Sequence, residues 1–129
     1  MTKTITGYFI DPAHGIAEPR TIEKSLDSYY SLLDCTCIDI VERDIGERRF
    51  DIICDDEGLL KAPSFVSAFY TSGEPALVGS LFVCKFDGAD DVTSLTEEEL
   101  DYVDNYRETF WGVINGSIHV YRALTCIGL

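Results

Sequence analysis

Two histidines, His14 and His119, and five cysteines, Cys35, Cys37, Cys54, Cys84 and Cys126, have the widest chemical range in this chain. A nucleophilic centre would need a histidine beside a nucleophile, with a third group to orient it. The sequence contains no Gly-x-Ser-x-Gly elbow, no His-Glu-x-x-His pair, no phosphate-cradling Gly-rich loop with Lys and no dinucleotide fingerprint. His14 falls in a turn and His119 in an expected strand, so surface or core roles are expected for both. The cysteine count is odd, and Met1 to Ile10 lacks the basic-then-apolar pattern of an export signal. All five are read as reduced thiols. Cys54 and Cys84 lie in apolar stretches, where a free Cys acts as a small hydrophobe. Cys35-Thr36-Cys37 resembles half a metal site, but zinc sites use wider pairs and no second pair follows. The chain is expected to be non-catalytic, with no cofactor.

Carboxylates are the other chemical resource. Asp55-Asp56-Glu57-Gly58 and Asp87-Gly88-Ala89-Asp90-Asp91 could lend oxygens to Mg²⁺ or Ca²⁺, but neither has the spacing of an EF-hand loop. Asp is favoured in turns for its local backbone bonds, and no metal site is expected. Net charge is −13, from 10 basic and 23 acidic residues. Between Lys85 and Arg107 there is no basic residue, while Asp87, Asp90, Asp91, Glu97, Glu98, Glu99, Asp101 and Asp104 all fall there. A helix dipole accounts for Glu97 to Glu99, at about 0.3–1 kcal/mol each, but not for the others.

One reading of the block is an imitation of a phosphate row. It would dock on a host protein with a basic nucleic-acid-binding surface, where complementary charge speeds capture. The partner-binding residues are then Asp87, Asp90, Asp91, Glu97, Glu98, Asp101 and Asp104, with Tyr102 and Trp111 as aromatic anchors. The competing reading is a solvated face, with the aromatics filling the core. The same charge argues against direct contact with nucleic acid or an anionic membrane. A different function, trapping a nucleotide signal, needs a basic pocket drawn from Arg48, Arg49, Lys61 and Arg122. A third is an interaction domain with no further chemistry. Self-association through an open sheet edge or the last strand is allowed.

The elements that would carry these groups follow from periodicity. Lys3 to Ile10 alternates as a strand, Asp11-Pro12 turns it, and Arg20 to Glu23 returns with Pro19 at its edge or start. Ser25 caps a helix over Leu26 to Leu33, whose buried stripe is Leu26, Tyr29, Tyr30 and Leu33. Cys37 to Asp44 and Arg48 to Cys54 form a hairpin about Gly46. Phe50, Ile52 and Cys54 face one side of the sheet and Ile53 the other. Residues 62–75 are expected to be an ordered loop or short helix, and Ala76 to Phe86 one central strand with Gly79 as a bulge or close-packing point. Thr96 and Glu99 have the spacing of a capping box, and Leu95 and Leu100 that of a hydrophobic staple. The helix they start is expected to run from Glu97 to near Trp111, burying Leu100, Val103, Tyr106 and Phe110, or Arg107 by its stem. Ile118 to Leu124 makes a last strand.

With 129 residues, 46% hydrophobic composition, seven Tyr, seven Phe and one Trp, the chain has the means for a real core. No apolar run reaches the roughly 20 residues of a membrane span. The expectation is a single α+β domain over 1–129, a mostly antiparallel sheet with two main helices.

At Cys54-Asp55-Asp56-Glu57-Gly58-Leu59-Leu60 the chain resembles a small family of unknown function, common on phages, plasmids and conjugative elements of gut Firmicutes. The shared pattern is a strand ending in Cys-Asn/Asp-Glu-Glu-Gly, then a Pro-containing loop. A Gly-hydrophobic run follows, here Leu77-Val78-Gly79-Ser80-Leu81-Phe82-Val83-Cys84, and then a helix start such as Ser94-Leu95-Thr96. The resemblance covers roughly residues 5–100. It implies a mobile-element accessory protein of the bacterial cytoplasm, possessing no agreed catalytic residues. Combined with the acidic block, it points to an inhibitor of a host defence component, of the anti-CRISPR or anti-restriction type.

Overall fold

A computed structural model of the protein describes residues 3–56, 65–86, 92–114 and 116–128. Alternation along Thr4–Asp11 (β1) sends Ile5 and Phe9 to one face and Tyr8 and Ile10 to the other. Asp11 caps a short 3-10 turn over Pro12–His14, and Ile16–Glu23 (β2) returns antiparallel. This return strand begins four residues before the expected Arg20. Pro19 sits inside it and is tolerated because β2 is the outermost strand. Ser25 caps Leu26–Leu33 (α1), its Oγ accepting from the Ser28 amide at 3.2 Å. Tyr29 and Leu33 are buried, whereas Leu26 is exposed. The eight-residue helix rests on the sheet with its later turn, so the expected stripe is covered only there.

Ile38–Ile45 (β3) and Arg48–Asp55 (β4) pair antiparallel from Ile45↔Arg48 to Ile38↔Asp55. As the alternation requires, Phe50, Ile52 and Cys54 enter one core cluster and Ile53 the other. Three expectations fail in the following stretches. Within 62–75, residues Val66–Tyr70 form a strand (β5), neither loop nor helix; 62–64 lie outside the described residues. The run from Ala76 to Phe86 is two strands, Pro75–Val78 (β6) and Leu81–Phe86 (β7). Gly79, at φ 85°, turns the chain between them, and β6 and β7 take separate places in the strand order without pairing to each other. After Val92–Thr93 (β8), the second helix covers only Glu97–Asn105 (α2). Arg107–Ile114 (β9) is a strand, paired along its whole length with Ser117–Gly128 (β10). The β-branched and aromatic residues of 107–114 find a complete antiparallel ladder there, which outweighs the helical spacing of Tyr106 and Phe110.

The strand order is β2-β1-β7-β4-β3-β10-β5-β6, with β8 on β7 and β9 on β10. Among the described residues, all pairs are antiparallel except β10 with β5. The architecture is thus a mostly antiparallel, curled sheet with two helices. One core cluster joins Tyr8, Ile10, Phe50, Ile52, Leu81, Val83, Ala68, Leu124 and Ile127 to Leu95 and Val103 beside and within α2. The other lies on the opposite sheet face, where Ile5, Phe9, Ile53 and Phe82 meet Tyr29 and Leu33 of α1. Among the described residues, no helix is long and apolar enough to cross a membrane.

Candidate functional site

The start of α2 is fixed by local bonds before any tertiary contact is counted. The Glu99 amide donates to Thr96 Oγ1 at 3.2 Å, and the Thr96 amide donates to Glu99 Oε1 at 3.0 Å, closing the expected capping box. Ser94 and Leu95 clip this end to β1: the Thr6 amide donates to Ser94 Oγ, and the Leu95 amide to the Thr6 carbonyl. Glu97, Glu98 and Asp101 then lie exposed within one arc of the helix. Asp87, Asp90 and Asp91, the other part of the acidic block, lie outside the described residues.

The interval without bases in sequence is not without bases in space. Lys85 Nζ lies 2.5 Å from Glu99 Oε2, Arg48 Nη2 3.1 Å from Glu98 Oε1, and Arg107 Nε 3.1 Å from Asp104 Oδ1. Burial of the Glu99 carboxyl works to raise its pKa, but Lys85 and the Thr96 bonds outweigh it and hold the group below the usual range. Asp104 also accepts the Tyr8 hydroxyl at 2.5 Å; burial first, and this bond second, push the Tyr8 phenol above its usual range. Among the described residues, ion pairs leave Glu97 and Asp101 without a cation. Glu98 is paired, but its side chain is 80% exposed.

Tyr102, expected to meet a partner, is occupied within the fold. Its hydroxyl donates to the Ile45 carbonyl at 2.7 Å and accepts from the Glu47 amide at 2.9 Å. The Arg48 guanidinium lies 4.5 Å above its ring, and Phe50 and Tyr106 flank it. These bonds tie α2 to the β3–β4 turn, where Gly46 sits at φ 62°. A Cβ at Gly46 would stand 2.3 Å from the Tyr106 hydroxyl and 2.7 Å from that of Tyr102.

The four cations named for a nucleotide pocket are not gathered. Arg48 faces α2, and Arg49 binds Glu42 and Asp44 of β3 at 2.7 and 2.8 Å. Successive strand residues point to opposite faces, which separates these two. Arg122 is on β10, and Lys61 lies outside the described residues. Clefts among the described residues include the following three. One of about 200 Å³ is lined by Asp39, Cys54, Asp55 and Asp56; one of about 310 Å³ by Phe69, Glu108, Phe110 and Cys126; a third by Glu23 and Ser28. None of the three is lined by Lys, Arg or His. No disulfide joins the five cysteines, and burial pushes Cys54 up to about 11 and Cys84 up to about 12, which disfavours their thiolates at neutral pH. Among the described residues no group of His, Cys, Asp and Glu is placed to hold a metal ion.

Trp111 belongs to a second surface, the β9–β10 ribbon. One ribbon face packs inward: Phe110 stacks on Phe69 at 4.6 Å, and His119 meets Phe65 edge-on at 5.9 Å. On the other face the register sets Trp111 opposite Val120 and Val113 opposite Ile118. All four are exposed, at 72, 65, 62 and 70% respectively. Helical spacing hid this face in the sequence. The sequence signal that would have revealed it is the hairpin dipeptide Asn115-Gly116 between two runs rich in β-branched and aromatic residues.

The fold defines a class: an α+β protein with a curled, mostly antiparallel sheet and two helices. Residues 5–110 match a domain of unknown function, DUF3846, so the chain belongs to that family. No curated protein and no solved structure was found to match it.

Proposed function

We propose that the protein is a non-catalytic accessory protein of a phage or other mobile element that binds and inhibits a host defence component in the bacterial cytoplasm. The contact is the outward arc of α2 laid on a basic protein surface. The observation that carries this reading is the exposure of Glu97, Glu98 and Asp101 together on one rigidly started helix. Lys85 and Arg107 pair with Glu99 and Asp104 at its sides, so the α2 carboxylates without a described cation, Glu97 and Asp101, both lie on that arc. The Arg48–Glu98 pair is exposed and worth at most about 1 kcal/mol, so a partner's arginine can replace it.

The test is capture of a bacterial protein by the intact chain at low and high salt, beside a Glu97→Lys, Asp101→Lys double variant. Expected is a bound nucleic-acid-handling protein, released as salt rises and bound at least about tenfold more slowly by the variant. Undiminished inhibition by the charge-reversed chain would discard the reading.

A further inference from the structure

We propose that the outer face of the β9–β10 ribbon is where two copies of this protein meet. Trp111, Val113, Ile118 and Val120 form one continuous quartet, because cross-strand partners and next-but-one neighbours share a face. The area they expose is on the order of 500 Å², the size at which an apolar patch on a monomer marks an interaction site. Two such faces together withdraw roughly 1,000 Å² from water before any rim is counted, the threshold of a specific interface.

Charge selects the occupant. All 23 acidic residues precede position 109, and 109–129 carries only Arg122 and His119 as ionisable nitrogen groups. Elsewhere like charges at a net −13 push a second copy away, whereas 109–129 is the longest stretch of the sequence without an Asp or Glu, and the one acid of the ribbon, Glu108, alternates onto the inward face with Phe110. A basic partner gains nothing from an acid-free face, and an anionic membrane is repelled by the body behind it. A two-fold contact needs only that the patch match itself, and a row of one Trp, one Ile and two Val does. The site is separate from the acidic arc of α2 and responds to salt in the opposite sense, because screening removes repulsion between copies while the apolar contact persists.

Sedimentation of the intact chain over a range of protein concentration, in about 0.05 and 0.5 M NaCl, tests this. Expected is a monomer–dimer equilibrium that tightens with salt. The emission of Trp111, the single tryptophan, should shift to the blue as dimer forms. Trp111→Ser and Val120→Lys should each weaken the dimer at least about tenfold with the circular dichroism unchanged, and Glu97→Lys, Asp101→Lys should not weaken it. A chain monomeric at every concentration and salt overturns the proposal, as does a dimer indifferent to the ribbon variants or one that salt dissociates. A blue shift produced by phosphatidylcholine vesicles while the chain stays monomeric would assign the ribbon to lipid and also overturn it. The two sets of variants keep failure here distinct from failure of the acidic-arc reading.

Discussion

Glu99 spends one oxygen on the Thr96 amide and the other on Lys85, so its charge is bound to the first turn of α2. Glu99→Gln can keep the capping bond but loses the ion pair, and should cost about 0.5–1 kcal/mol at neutral pH in urea unfolding. The sign with pH follows from its lowered pKa. Its contribution is fully present above the unfolded glutamate value of about 4.3 and disappears as pH falls through the lower folded value. The gap between native chain and variant should therefore close in strong acid; a gap constant from neutral to acid would mean that the charge of Glu99 contributes nothing. Glu97, two positions away and without a described cation, has no such bond to lose, which is why the two neighbours differ in what they can offer a partner.

The helix starts were legible because their chemistry is local: Ser25, and Thr96 with Glu99, carry cap signals within four residues of where they act. Strand ends set by distant partners were not. Residues 107–114 become a strand only because 117–124 lies beside them, and Tyr106 with Phe110 otherwise keeps the spacing of a helix face. Val66–Tyr70 is stabilised by β10, more than 50 residues later, and the break at Gly79 is hidden inside an unbroken apolar run. The candidate surfaces suffered the same fate. The acids of α2 were visible, whereas the cations that meet them, Arg48 above all, arrive from other strands. The two sides of the ribbon give a direct check. Phe110→Ala removes the ring stacked on Phe69 and should cost about 2 kcal/mol, whereas Trp111→Ala, on the exposed side, should stay within about 0.5 kcal/mol in dilute solution. Equal losses in thermal unfolding would contradict the face assignment.

Over the whole molecule, 23 acids against 10 bases leave more repulsion than its ion pairs relieve, and most of those pairs are exposed and weak. Raising ionic strength from about 0.02 to 0.2 M should therefore raise Tm, by about 2–5 °C, since screening acts over roughly 10 Å and relieves the long-range term. A Tm that falls with salt would show that the pairs outweigh the excess charge. The parallel contact of β5 with β10 has a different reach. Among the described residues, β5 and β6 join the sheet only through β10, at Leu124 and Ile127. On a ribosome adding about 5–20 residues per second, the interval between emergence of Tyr70 and of Leu124 is roughly 3–11 s. For that time the β5–β6 hairpin has no neighbour to pair with, and its nascent edge is open to whatever chaperone waits at the exit tunnel.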